Sequence, residues 1–279
     1  MRKVTERSKH QLEKELRALV SQRVWQFKDQ AIIAMYLHNL PYNLFAEGER
    51  HFHEAYKMAY KLDEEIKERN PDSPQKNHHK NVLLAVRDMW KVFYSPTGKT
   101  PRMFGTDLTF LKSTIRHVLF PHWIDFDLKN CQLSIVAGLY HVPKTQEFLK
   151  TGASIWKELT VYMGIAEDRR ATAKEFLKQA LYSIVYGMTM TEAERSLQDD
   201  LGCRGIWWNN DFTSHPIIRE VARAIRRAIK DIREQGGMKS AYGWMALEEG
   251  EKEETVLANA IQSYELSIVA ACYKLVPCG

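Results

Sequence analysis

The stretch that most constrains this chain is Arg170 to Gly187, RATAKEFLKQALYSIVYG. Arg170, Lys174, Lys178, Tyr182 and Tyr186 recur every fourth residue, so on a helix they form one slowly winding stripe of three cations followed by two aromatics. Ala173, Leu177, Ala180, Leu181 and Ile184 fall on another face and are expected to pack inward. Cations followed by flat rings suit a polyphosphate and a base. A solvated amphipathic helix with two half-buried tyrosines would carry the same pattern, so the rest of the chain has to decide.

With 279 residues, 44% hydrophobic and 11% aromatic, the chain can bury a substantial core as one large domain or two small ones. A net charge of +5 is a small excess, so the placement of charge says more about an anionic partner than its total. Cys131, Cys203, Cys272 and Cys278 form no CxxC pair, and the first residues do not read as a cleavable signal. A reducing, intracellular setting is expected, cytoplasmic in a bacterial or phage-infected cell. No apolar run reaches about 18 residues, so no membrane partner is expected. His51 and His53 lie two apart with no further ligands suggested nearby, and read as solvated helix residues.

In chain order, Ser8 caps a helical pattern that ends before Pro41, and a second runs from about Leu44 to Lys67 with Phe52, Tyr56, Tyr60 and Ile66 as buried positions. Pro71 and Pro74 break it, and Asn81 to Phe93 reads as a further amphipathic helix. The segment from Ser95 to Arg102 is turn-rich and basic, and its Thr-Gly-Lys-Thr lacks the first glycine of a phosphate-binding loop. Leu119 to Phe126 reads as a strand leading into Asp127, with a helix beginning near Lys129. A carboxylate at a strand end is a common magnesium ligand, although Asp125 or Asp127 would equally well cap that helix.

Further on, Thr151 to Tyr162 and Thr191 to Gly202 read as helices, and Pro216 opens another to about Gln235. On this one Ile217, Val221, Ile225, Ile229 and Ile232 face the core, while Arg219, Arg223, Arg226, Lys230 and Arg233 line another side. That row suits a phosphate backbone, but Glu220, Asp231 and Glu234 dilute it and favour a solvated face. Gly236-Gly237 ends the helix, Met238 to Met245 reads as a short hairpin, and Leu257 to Leu275 as an apolar final helix.

Together these pieces resemble the polymerase domain of family A DNA polymerases. Lys174, Lys178, Tyr182 and Tyr186-Gly187 are similar to the family's fingers helix, except that lysine stands where arginine is usual and so loses the bidentate fork. Single-subunit phage RNA polymerases share this helix. Asp127-Leu-Lys-Asn-Cys-Gln followed by Ala137 resembles the first palm motif, in which Gln132 replaces a glutamate that blocks a ribose 2′-hydroxyl. Thr97-Gly-Lys99, Ile115-Arg116, Ser154-Ile-Trp, His215-Pro to Trp244, and Ala258 to Ser263 with Asn259 and Gln262 resemble further family segments in order.

The resemblance implies an α+β, predominantly helical chain with right-hand polymerase architecture and an incomplete palm. Residues 1–95 would be a helical thumb-like region, 96–145 the palm part with the first catalytic motif, 146–243 the fingers and 244–279 the returning palm helix. It implies primer extension with magnesium and dNTPs on primer-template DNA. Asp127 and the Leu128 carbonyl would bind metal; Asp127 and Lys178 would be catalytic. Lys174, Lys178, Tyr182, Tyr186, Gln132 and Arg170 would hold the nucleotide, and Gln262, Asn259, Arg116, Lys99 and Gly187 the nucleic acid.

A two-metal site needs a second acidic position, which the family supplies from a His-Asp hairpin beyond the minor-groove glutamine. No His-Asp occurs in these 279 residues. Three explanations are open: a split gene whose second polypeptide supplies the hairpin, a truncated reading frame, or a chain that binds primer-template or nucleotide without catalysis. An RNA polymerase-like activity is a further alternative.

Overall fold

The computed structural model describes residues 41–73, 77–89, 94–96, 103–105, 111–122 and 128–275, together with Gln30. The helix expected over residues 8–40 therefore lies outside the described residues, apart from Gln30. The chain is predominantly helical, with ten α-helices and two antiparallel hairpins among the described residues, an α+β composition. It divides into two compact units: residues 1–127 with 268–279, and residues 128–267.

In the first unit, α1 (Pro41–Arg69) packs on α2 (His78–Met89) and on α3 (Ser113–Leu119). The inward seam of α1 is Ala55, Ala59 and Asp63, not the larger residues expected from the sequence. Phe52 and Tyr56 are half-buried beside it, and Tyr60 is 51% exposed. Small residues at four-residue spacing let the helices approach closely, which leaves the rings at the margin of the interface. Asp63 is fully buried and accepts hydrogen bonds from the backbone amides of His79 and Lys80 at 3.1 and 2.9 Å. The carboxylate of α1 thus caps the N-terminus of α2, and the His79 Nδ1 stands 2.9 Å from the same group.

β1 (Tyr94–Pro96) pairs with β2 (Met103–Gly105), so the ends of the turn-rich segment form a short hairpin. The strand expected from Leu119 is not formed at its start. Leu119 is the last residue of α3, whose buried Ile115 and Leu119 dock on α1, and Phe120 to His122 leave it through a turn. A four-residue apolar spacing placed Ile115 and Leu119 on one helical face, and burial of that face outweighed the run of β-prone residues.

The second unit is built from α4 (Cys131–Leu139), α5 (Pro143–Lys150), α6 (Ile155–Tyr162), α7 (Arg170–Val185), α8 (Met190–Cys203) and α9 (Pro216–Gln235). These are followed by a hairpin of β3 (Gly237–Ser240) and β4 (Gly243–Ala246), and by the first part of α10 (Glu253–Leu275). Of the helix expected from Thr151, residues 151–154 form a turn and Ser154 caps α6, accepting from the Lys157 amide at 3.5 Å.

α7 runs through the middle of this unit and packs against α4, α6, α8 and α9. α9 has its predicted bounds, and of its expected inward face Ile217, Val221, Ile225 and Ile232 are buried, each worth roughly 1.5–3 kcal/mol over exposure. Ile229 is half-buried, whereas Ile218, not expected there, is fully buried. Gly237 is required where α9 gives way to the hairpin, because a Cβ there would run into the Met245 carbonyl across the ladder.

Candidate functional site: the outward face of α7

The inward face of α7 is Ala173, Leu177, Ala180, Leu181, Ile184 and Val185, all buried in the core of the second unit. This fixes the rotation of the helix and leaves Lys174 and Lys178 exposed on adjacent turns. Their Cβ atoms are separated by the roughly 5–6 Å of an i,i+4 pair, so both ammonium groups can reach one polyphosphate. Arg170, the first cation of the sequence stripe, is drawn in: it is half-buried, and its Nε donates to the Ile165 carbonyl at 3.1 Å.

The tyrosines at the other end are half-buried and packed against the core. Trp156 of α6 meets the Tyr182 ring edge-to-face, with centroids 6.0 Å apart and planes at 84°. Such a pair stiffens the ring beyond its burial. Tyr186 caps the C-terminus of α7, and Gly187 follows at φ 102°. A Cβ on Gly187 would stand 2.5 Å from the Glu254 Cγ and 3.2 Å from the Ile229 Cδ1, so this turn is closed by side chains of α10 and α9.

Gln132, in the first turn of α4, is only 7% exposed. Its Nε2 donates to Glu265 Oε2 on α10 at 3.4 Å, and its Oε1 is buried without a partner among the described residues. The sequence reading missed Glu265, although the signal was present: it is the lone charge between Glu254 and Lys274 in an apolar helix. On the same helix Asn259 is buried and Gln262 half-buried.

His215 supports α6 and α9 at once. It is buried, its Nδ1 accepts from the Ile217 amide at 3.3 Å as the N-cap of α9, and its ring stands edge-on to Tyr162 at 4.7 Å. Its Nε2 lies 3.6 Å from Glu158. Burial pushes its pKa below the usual histidine value, and Glu158 opposes that shift.

The second unit contains Lys174, Lys178, Tyr182, Tyr186 and Gly187 on α7 and its end, Gln132 on α4, and Asn259 and Gln262 on α10. Arg116 belongs to α3 in the first unit, half-buried, with Nη1 donating to the Leu111 carbonyl at 2.6 Å. Lys99 and Asp127 lie outside the described residues. The Leu128 carbonyl accepts from the Cys131 amide at 3.2 Å, which leaves it a second lone pair. No group of three or more metal-ligating side chains comes together among the described residues. No helix among them is long and apolar enough to cross a membrane.

No protein-family model, curated protein or solved structure matches the chain, so the likeness to family A polymerases rests on the residues and spacings quoted above.

Proposed function

We propose that the chain is part of a template-directed DNA polymerase of the family A type, and that α7 holds the triphosphate and sugar of the incoming dNTP. The observation that carries this reading is the rotation of α7. Its apolar residues are buried, and that leaves Lys174 and Lys178 exposed on successive turns, leading to Tyr182 and Tyr186. Two adjacent ammonium groups bind a polyphosphate and offset the charge that grows as pyrophosphate departs. Tyr182, steadied by Trp156, presents a ring to the sugar, and Tyr186 stands beside the templating pair. The magnesium ions of such chemistry are expected on Asp127; what α7 contributes is binding, orientation and charge.

Primer extension tests the proposal, using the purified chain alone and mixed with the product of any adjacent reading frame. Incorporation of dNTPs in either mixture, abolished by Asp127→Ala with primer-template binding retained, supports it. Tight primer-template binding with no extension in either mixture favours a binding protein without catalysis. Preferential use of NTPs favours an RNA polymerase-like enzyme, a choice that neutral Gln132 leaves to measurement.

A further inference from the structure

The exposed edge of α9 is a strongly charged feature that the nucleotide reading leaves unused. Arg219, Arg223, Arg226, Lys230 and Arg233 are all exposed, and at 3.6 residues per turn they fall within roughly 80° of the helix circumference. Of the carboxylates that dilute this row in sequence, Glu220 is turned away from it in the fold, while Glu234 stays beside it. Glu220 turns to the N-terminus of α5, where it accepts from the amides of Lys144 and Thr145 at 3.3 and 3.1 Å and from the Thr145 hydroxyl at 3.2 Å. Asp231 falls near that same margin of the helix, roughly 80° from the nearest cation of the row. Glu234 lies 3.5 Å from Lys230, and Arg233 donates to Glu253 at 2.6 Å.

Among the described residues Arg219, Arg223 and Arg226 have no carboxylate partner. Arg223 donates Nε to the Arg219 carbonyl, and Arg226 Nη2 stands 3.8 Å from the Met190 sulfur. That last contact sets the row beside the start of α8, just past the Tyr186-Gly187 turn. From Arg219 to Arg233 the row runs roughly 21 Å at 1.5 Å per residue, long enough for several consecutive phosphates. At the far end of α9 the hairpin presents Trp244, 59% exposed and paired in register with exposed Lys239.

A line of cations that ends at an exposed aromatic face suits single-stranded nucleic acid: phosphates take the charges, and an unpaired base stacks on the ring whatever its identity. We propose that the cationic edge of α9 and Trp244 form a track for single-stranded nucleic acid, separate from the nucleotide site on α7.

The test is fluorescence anisotropy of a labelled oligothymidylate of about twenty nucleotides with the full chain across a salt series, a length that exceeds the usual site sizes. Replacing Arg219, Arg223 and Arg226 together by Gln is expected to weaken binding roughly tenfold or more and to flatten the log–log salt slope by about 2, three phosphates at about 0.7 each. Trp244→Ala weakens binding at all salt concentrations, and Trp244→Phe restores most of it. If the triple variant loses its circular dichroism spectrum, Arg219→Gln alone is expected to flatten the slope by about 0.7. Equal losses on replacing the exposed cations Lys157, Arg195 and Arg204 would overturn the proposal in favour of net charge alone, and so would binding to phosphatidylserine vesicles without binding to the oligonucleotide. Lys178→Ala should lower dNTP affinity and leave the oligonucleotide salt slope unchanged, so failure of the track and failure of the nucleotide site are distinguishable.

Discussion

The side-chain amide of Gln132 donates to the carboxylate of Glu265 at 3.4 Å, across 133 positions of sequence, and ties the first turn of α4 to α10. A glutamate at position 132, as in the polymerases this segment resembles, would set two carboxylates against each other in a mostly buried site. Gln132→Glu is therefore expected to lower stability by about 1–3 kcal/mol at neutral pH, through like-charge repulsion and loss of the donor. The deficit should shrink as pH falls, because a shared proton relieves the repulsion. Glu265→Gln introduced with Gln132→Glu should recover most of the loss. Thermal melts of the two single variants and the double variant check this, and additivity of the single effects would disprove the contact.

Lys174 and Lys178 are exposed, so their removal should touch binding and leave folding alone. Each change to Ala is expected to weaken dTTP affinity about fivefold to tenfold, roughly 1–1.4 kcal/mol, with an unchanged melting temperature. Lys178→Arg should keep most of the affinity. Isothermal titration measures it, and wild-type affinity in both alanine variants would remove α7 from the nucleotide reading.

His215 gives the protein a pH dependence of definite sign. Its folded pKa lies below the unfolded value because burial, and an Nδ1 already accepting from Ile217, favour the neutral ring. The unfolded chain therefore binds the proton more readily, and stability falls as pH drops below about 6.5, levelling off below the folded pKa. His215→Asn keeps a capping acceptor but does not titrate, so melting temperatures followed from about pH 8 down to about pH 5 should show a shallower decline in the variant. Parallel declines would mean that other groups set the acid response.

Gly187→Ala combines an unfavourable φ of 102° with close approach to Glu254 and Ile229. The expected cost is on the order of 1–2 kcal/mol, part of it relieved by rotation of the flexible Glu254 side chain. Denaturant melts of this variant with and without Glu254→Ala measure both parts; a neutral single variant would show that the turn relaxes freely.

Much of the second unit was legible in the sequence because its helices carry strong periodicity and local stop signals. Pro216 and Gly236 bound α9, the apolar residues of α7 set its rotation, and so Lys174 and Lys178 were already on the outside. The sequence alone also fixed that α7 would carry cations and then rings, since helical spacing depends on nothing farther away than a few turns. What it did not determine was everything that depends on a partner distant along the chain. Tyr60 was expected inside, but packing on Ala55 and Ala59 left it out. Leu119 was expected in a strand, but docking of α3 on α1 made it helical. Arg170 was expected in an exposed stripe, yet the Ile165 carbonyl holds its guanidinium. The acidic neighbours of the α9 cations dilute the row in sequence, but the fold turns Glu220 toward α5 and keeps Glu234 beside Lys230, and Glu265 acquires a role only because α10 lies beside Gln132. Periodicity decides which face of a helix is apolar; only the tertiary structure decides what that face, and each polar group at its edge, is set against.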